Sequence, residues 1–191
     1  YQWFLDNVGQ SGGGVGSDIN VLPVWADYTG KGVRVGIVDN GVQLAHPDLA
    51  ANIDAAGSWD AVTNTPGGDP VKPDQNHGTA VAGLVAAVAN NGIGGSGVAP
   101  EATLLAFRIS FDDDSGETAN GNSGEEYADG NLDNILNSRH VIGVGAVGDT
   151  GVRTSYSTPG ANLLVSAPAG ASTRQSDSMP GNGVLTTDRT G

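Results

Sequence analysis

One apolar run that ends in a carboxylate limits most strongly the folds open to this chain. Its apolar side chains are those of Val33, Val35, Ile37 and Val38. They fall on both faces of a strand, which is typical of the centre of a parallel sheet. Asp39 follows at the strand end, where open α/β sheets place ligands and chemistry. Asp39 is therefore a candidate functional residue, although acids before a turn are also common turn or helix-capping residues.

Strand and helix patterns alternate along the rest of the chain. Further strands are predicted over 102–109, 140–147 and 161–168. A helix is predicted over 77–91, ending at Asn91-Gly92, with an apolar stripe at helical spacing. The stripe consists of Val81, Leu84, Val85 and Val88. This order predicts an α/β fold with a mostly parallel sheet.

Two other segments and the chain length complete the organisation. Residues 17–28 predict a short amphipathic helix interrupted at Pro23, and residues 56–76 predict a long surface loop rich in Gly, Pro and Asp. The 191 residues are enough for one domain with a real core and too few for two comfortable ones.

Charge and cysteine content exclude several classes of partner. Eight Lys and Arg against 21 Asp and Glu give a net charge of −13, which disfavours nucleic acid and anionic membranes and favours cationic ligands. The chain has no cysteine, so stabilisation is expected from packing or bound ions. No stretch approaches the roughly 20 apolar residues of a transmembrane helix, and we expect no membrane partner.

His77 is the second candidate, because it opens the predicted helix directly after the long loop. The positive end of the helix dipole disfavours an imidazolium there and is expected to leave a neutral ring. Asp39 at a strand end and His77 at the next helix start can meet at one sheet edge. The pair would supply the orienting carboxylate and the general base of a nucleophilic triad.

Two sequence blocks carry a specific resemblance. The segments VGIVDNGVQLAHPDL (35–49) and NHGTAVAGLVAA (76–87) resemble the Asp and His blocks of subtilisin-like serine proteases, whose triad runs Asp, His, Ser. DINVLPVWADYTGKGVRVGIVDNG (18–41) and AAVANNGIGGSGVAPEATL (86–104) most resemble the kexin/furin branch, the proprotein convertases. The resemblance implies a single, partial peptidase domain over 1–191, with a three-layer fold that need not be complete in this chain.

The resemblance becomes patchy after residue 109. The segment ANGNSG (119–124) resembles the oxyanion segment of the family and assigns Asn122 as the donor, with a plain turn residue as the alternative. Family members continue after a segment like GVLTTDRTG into a Gly-Thr-Ser motif that carries the nucleophile. No serine here lies in such a motif; the candidates considered are Ser123, Ser157, Ser166, Ser172, Ser176 and Ser178.

The missing nucleophile leaves two functional hypotheses. The first is a serine endopeptidase of subtilisin/kexin type that is inactive in these 191 residues, because loss of the nucleophile removes nearly all triad catalysis. The second is a non-catalytic pseudoprotease that binds calcium or basic peptides without cleaving them.

A calcium site is implied by the same resemblance. The implied ligands are Asp48, Val88, Asn91, Ile93 and Gly95. Hard oxygen ligands of this mixed kind suit Ca²⁺; a helix C-cap at Asn91-Gly92 is an alternative that can coexist with the site. A rival hydrolytic metal centre would group Asp39, His46, Asp48 and His77, but this spacing fits no common zinc motif.

Substrate preference is implied by acids that resemble convertase pockets. Asp74, Asp133 and Asp113, the last within the acidic cluster 112–114, are the assigned pocket residues. Carboxylates pair well with arginine, so the expected partner is a protein or peptide with basic residues. Asn40 stands where convertases usually have a second acid, which weakens the expectation of strict dibasic preference. The resemblance also implies a secreted or periplasmic location.

Overall fold

The computed structural model describes most of the chain. The described residues are 2–10, 12–109, 138–154, 157, 159–160, 163–170 and 184–190. In chain order the strands and the helix are β1 (Arg34–Asp39), β2 (Trp59–Asp60), β3 (Thr65–Pro66), α1 (His77–Ala86), β4 (Thr103–Arg108), β5 (Gly143–Val147) and β6 (Leu163–Pro168). Three single 3₁₀ turns cover Val24–Ala26, Ala50–Asn52 and Ala55–Gly57.

The chain divides into two compact units. The first unit contains Tyr1–Leu22 and Glu117–Val184, and the second contains Pro23–Gly116 and Leu185–Gly191. Each unit has its own sheet: the first pairs β5 with β6, and the second contains the other four strands. The expectation of one domain over residues 1–191 stays a prediction.

The sheet of the second unit positions the candidate site. Its order is β1-β4-β2-β3, and the β1–β4 and β4–β2 pairs are parallel. The register sets Asp39 opposite Arg108, and Arg108 opposite Asp60. Three charged residues therefore end three neighbouring strands at the carboxyl edge of the sheet. The expected α/β class with a mostly parallel sheet is confirmed.

The core of the second unit forms where α1 packs on β1 and β4. Ile37, Leu104 and Ala106 are buried on the sheet. The helix buries its small residues, namely Gly78, Thr79, Ala82, Gly83 and Ala86. The predicted stripe of larger residues is only partly buried, because small side chains allow the helix backbone to approach the strand more closely.

Two sequence predictions about these elements were wrong, and a third stays a prediction. Among the described residues β1 pairs with β4 alone, and Val38 is 59% exposed, so the central position expected for β1 stays a prediction. The helix ends at Ala86 and not at residue 91, since Ala87 has ψ 140° and the Val88 N–H donates to the Asp48 carbonyl oxygen (2.9 Å). Residues 56–76 are not a plain loop, because they contain β2 and β3, which pair antiparallel.

The predicted helix over 17–28 is also absent. Only the turn Val24–Ala26 forms, after Pro23. The Asp18 carboxylate instead accepts the backbone N–H groups of Asn7 (2.7 Å) and Asn20 (2.6 Å), and such local bonds compete with a helix. Proline then limits what can form beyond it.

The first unit contributes a second parallel strand pair. β5 and β6 lie within the predicted strands 140–147 and 161–168, which are confirmed, and β4 likewise falls within 102–109. The ladder is irregular between Gly143 and Val144. In the described parts of the chain, no helix is long and apolar enough to cross a membrane.

Candidate active site

Asp39 is held at the end of β1 with its carboxylate largely shielded. The residue is 9% exposed, and its Oδ1 accepts the backbone N–H of Asn40 (2.7 Å). The backbone of Asp39 remains in the sheet, since its carbonyl accepts the N–H of Ile109 (2.9 Å). One carboxylate oxygen is thus fixed by the chain itself, which leaves Oδ2 for another partner.

That partner is His77, the first residue of α1. Its Nδ1 lies 2.8 Å from Asp39 Oδ2, and its side chain is 72% exposed. The hydrogen bond to Asp39 raises the pKa of His77 above its ordinary value, against the opposing effect of partial burial. This direction is opposite to the one expected from the helix dipole alone, and its largest cause is the hydrogen bond to Asp39.

The geometry of the pair suits proton transfer at the other ring nitrogen. With Nδ1 bound to a carboxylate, the proton of the neutral ring sits on Nδ1 and Nε2 is the basic atom. Nε2 has no hydrogen-bond partner within the described residues. The arrangement can take a proton from a nucleophile and return it to a leaving group.

Two further contacts join the strand end to the helix start, and sequence reasoning missed both. The Gly78 N–H donates to Asn40 Oδ1 (3.0 Å), and the Gln43 N–H donates to Thr79 Oγ1 (3.0 Å). A Cβ atom at Gly78 would overlap the Gly41 carbonyl oxygen. Only glycine permits this close approach, so the Gly after His77 was the signal available in the sequence.

Residues 185–190 pack against α1 and against the loop that follows β1. Thr186 Oγ1 donates to the Ala80 carbonyl oxygen (2.7 Å), and Thr187 is 6% exposed. The side chain of Gln43 forms a reciprocal pair with the Thr190 backbone, accepting its N–H (2.8 Å) and donating to its carbonyl (3.1 Å). This 185–190 segment is therefore fixed beside the helix that carries His77.

Asp48 lies in a buried loop site apart from the Asp39–His77 pair. It is 1% exposed, and its carboxylate accepts Asn91 Nδ2 (2.7 Å) and the Gly95 N–H (3.2 Å). Asn91 Oδ1 accepts the Ile93 N–H (3.0 Å), and Val88 donates to the Asp48 backbone. The structure thus brings the five predicted calcium ligands into one loop cluster.

The rival metal centre is not assembled. His46 is 5% exposed; its Nδ1 accepts the Asp48 N–H (3.1 Å) and its Nε2 lies 2.7 Å from the Asp188 carbonyl oxygen. Both ring nitrogens are thus used by backbone groups. Within the described ranges, no cluster of three or more His, Cys, Asp or Glu side chains could hold a metal ion.

The predicted substrate acids are represented by one described residue. Asp74 is exposed, three residues before His77, and its carbonyl accepts the Asn76 N–H (3.0 Å). Asn122, Asp133 and Asp113 lie outside the described residues, as do Ser123, Ser172, Ser176 and Ser178. Ser157 is described, and its Oγ accepts the Ala146 N–H (2.9 Å) within the first unit.

A buried ion pair next to Asp39 in the sheet was not predicted. Arg108 Nη2 lies 2.7 Å from Asp60 Oδ2, with side chains 4% and 12% exposed. Burial acts to raise the pKa of Asp60, but hydrogen bonds from Arg108 and Thr63 outweigh it and lower the pKa to about 2. β2 has only two residues, so it is too short to show an alternating sequence pattern that could have predicted this pair.

Comparison with known proteins shows which sequences this chain is similar to. The sequence profile of the subtilase family, Peptidase_S8, matches residues 30–138. Human neuroendocrine convertase 2 is 46% identical over 112 residues, which are 56% of this chain and 18% of the convertase. The extracellular serine protease of Aeromonas sobria is 46% identical over 122 residues, 60% of this chain and 19% of that protein.

Structural similarity covers more of the chain. The crystal structure of the Aeromonas sobria serine protease in complex with its chaperone superposes with a TM-score of 0.73 and 28% identity, covering 89% of this chain and 42% of that one. The chain thus spans less than a fifth of these curated relatives and less than half of the solved chain.

Proposed function

Because the chain belongs to the subtilase family, we propose that it carries the aspartate and histidine of a serine endopeptidase of subtilisin/kexin type. In this proposal Asp39 orients His77 and stabilises its charged form, and His77 Nε2 is the general base and then the general acid. Asn122 is the oxyanion donor. The reaction is hydrolysis of a peptide bond through attack by a serine hydroxyl.

The observation that carries the proposal is the 2.8 Å contact between His77 Nδ1 and Asp39 Oδ2. It joins a buried carboxylate to an exposed ring whose outer nitrogen is available. A buried acid that only capped a turn would not need an exposed histidine as its partner. The residues in contact also belong to the two sequence blocks that define the resemblance.

In the proposal, these 191 residues supply the aspartate and the histidine of the triad but not the nucleophilic serine. No serine follows a Gly-Thr pair. We therefore expect the 191-residue chain to lack peptidase turnover, because the remaining groups give only residual catalysis. The 185–190 segment is fixed beside α1. Any residues that follow residue 191 would continue from this segment.

Calcium binding at Asp48 forms part of the proposal. The donor set fits the ion, since the buried Asp48 carboxylate is balanced only by neutral donors and forms no ion pair within the described part of the chain. Asn91, Val88, Ile93 and Gly95 would complete the oxygen ligands. Asn91 would have to turn its amide, because Nδ2 now faces Asp48. Such an ion would stabilise a cysteine-free fold.

Basic peptides are the proposed substrates, in a secreted or periplasmic protein. The exposed Asp74 near His77, with Asp133 and Asp113, would attract arginine or lysine before the scissile bond. The net charge of −13 also favours cationic peptides. The relatives bear the names of a convertase and an extracellular protease.

A labelling experiment tests the proposal on the 191-residue chain. A serine-directed fluorophosphonate should label nothing, and a fluorogenic peptide ending in arginine should show no turnover above background. Labelling of the chain would overturn the assignment of a missing nucleophile and direct attention to Ser157, Ser166 or Ser172. Binding of the same peptide without cleavage is expected both from the proposal and from the pseudoprotease alternative, so cleavage by a form that continues past residue 191 is what separates them.

A further inference from the structure

The helix that presents His77 begins without a cap from its own sequence. Asn76 precedes α1, and its side chain makes no capping hydrogen bond. The amide of Gly78, the second helical residue, instead donates to Asn40 Oδ1 (3.0 Å), 38 positions earlier in the chain. Capping side chains normally accept the amide of the second or third helical residue. Asn40 thus caps α1 from the end of β1.

Asn40 also contacts the carboxylate that binds His77. Its backbone N–H donates to Asp39 Oδ1 (2.7 Å), while Asp39 Oδ2 lies 2.8 Å from His77 Nδ1. A single residue therefore fixes one carboxylate oxygen through its main chain and the first turn of α1 through its side chain. The half-buried position of Asn40 reduces competition from water for both bonds.

We propose that Asn40 is a positioning residue for the Asp39–His77 pair: its amide oxygen holds the first turn of α1 against the end of β1, at the distance the pair requires. Asn40 does not contact His77 and acts through the helix. The catalytic consequence rests on the proposed function, whereas the positioning itself is a property of the 191-residue chain. Asn40 stands where convertases usually have a second acid, and its side chain caps α1 instead.

Three variants separate positioning from a general effect on stability. Asn40→Ala removes the acceptor for the Gly78 amide, and Asn40→Asp keeps an acceptor oxygen. Asn52→Ala is the matched control, because Asn52 Nδ2 donates to the Ala86 carbonyl at the other end of α1 (3.0 Å) and to that of Pro100 (2.8 Å). The control weakens the same helix without touching its first turn.

Hydrogen exchange of the Gly78 amide and the NMR signal of His77 Nδ1–H are the readouts. Asn40→Ala should speed Gly78 exchange by about fivefold to tenfold, as loss of a cap predicts, and should broaden or shift the Nδ1–H signal. Asn40→Asp should restore Gly78 protection. Asn52→Ala should leave both readouts as in the wild type while lowering the melting temperature.

Two results would overturn the proposal. One is wild-type Gly78 exchange and an unchanged His77 signal in Asn40→Ala; the other is an equal change of both in Asn52→Ala. Neither readout uses peptidase activity. Serine-directed labelling of the 191-residue chain would therefore count against the proposed function alone, and an unchanged His77 signal in Asn40→Ala would count against the positioning role alone.

Discussion

Asp39 and His77 each change what the other can do. The buried carboxylate raises the pKa of His77, so that the ring is a stronger base than an isolated histidine. The exposed ring in turn gives that carboxylate a partner at the surface. Their roles in catalysis are proposed, but the interaction can be measured on the 191-residue chain directly.

Replacing Asp39 by Asn should lower the pKa of His77. The hydrogen bond and the charge that raise it are both lost, and partial burial then acts alone, so the pKa should fall to its ordinary value or below it. An NMR titration of the His77 ring measures this. Titration of His77 at the same pH in both proteins would contradict the contact.

The same shift predicts a pH-dependent contribution to stability. Because the pKa of His77 is raised on folding, its interaction with Asp39 stabilises the fold fully below about pH 6.5 and is lost as the pH rises through the folded pKa. Urea unfolding of the wild type and of His77→Ala should therefore differ more at pH 5 than at pH 9. Equal differences at both pH values would argue against it.

Asp60 should control stability at acid pH. Its folded pKa of about 2 lies below the ordinary 3.8, so its contribution is present above pH 3.8 and is lost as the pH falls through 2. Asp60→Asn should be destabilised at pH 7, and its difference from the wild type should shrink below pH 3. The exposed Arg34–Asp54 pair supplies the control, since Asp54→Asn should cost much less.

The contact between α1 and the 185–190 segment depends on Gly83, which has no side chain. A Cβ atom at Gly83 would overlap Thr187 Oγ1 and Thr186 Oγ1. The packing of these threonines against the helix therefore requires glycine, as the crossing of Gly78 with Gly41 does. Small residues thus set both close approaches of α1.

Gly83→Ala should displace the 185–190 segment. Alanine favours a helix by up to about 1 kcal/mol, but overpacking typically costs about 1–3 kcal/mol, so net destabilisation is expected. Faster hydrogen exchange in residues 184–190 and a lower unfolding free energy are the measurements. Gly148→Ala is the control, because its Cβ would meet only the Val152 carbonyl oxygen at 3.8 Å. Unchanged exchange in the segment would contradict the packing.

The strands and the start of α1 could be predicted because their signals are local. β4, β5 and β6 follow from short apolar runs, and α1 begins at His77 as expected. The end of α1 could not be predicted, since the apolar spacing continues to Val88. A tertiary bond from Val88 to Asp48 and left-handed backbone at Asn90 (φ 60°) replace the helix there.

The sequence predicted that Asp39 and His77 lie together, but it did not predict the hydrogen bonds that hold the strand end against the helix start. Asp39 and His77 stand at the ends of recognisable elements, so topology alone brings them to one edge. The links of Asn40 to Gly78 and of Gln43 to Thr79 depend on the register between strand and helix, which has no sequence signature. The Arg108–Asp60 pair was missed because β2 is only two residues long and carries no strand pattern.

The 191 residues match only part of the length of these relatives. The matched regions cover 18% of human neuroendocrine convertase 2 and 19% of the extracellular protease of Aeromonas sobria. The family match over residues 30–138 includes both blocks that hold Asp39 and His77. The proposed calcium site lies in the same portion, so its effect on stability can be tested without a nucleophile.

Calcium should raise the melting temperature of the 191-residue chain, and a chelator should reverse the change. An ion that binds the folded state alone, at 100 times its dissociation constant, stabilises by about 2.7 kcal/mol. Asp48→Asn should abolish the response, whereas Asp74→Asn, which removes an exposed acid, should retain it. Melting that ignores both calcium and chelator would contradict the proposed site.

The central claim is that His77, oriented by Asp39, is the base of a peptidase. The most direct measurement is hydrolysis of a fluorogenic arginine-ended peptide by a form of the protein that continues past residue 191 into a nucleophile segment, beside its His77→Ala and Asp39→Asn variants. The account predicts cleavage after arginine that falls by about 10⁴-fold or more in each variant. No cleavage by the folded protein, or cleavage that survives His77→Ala, would contradict it.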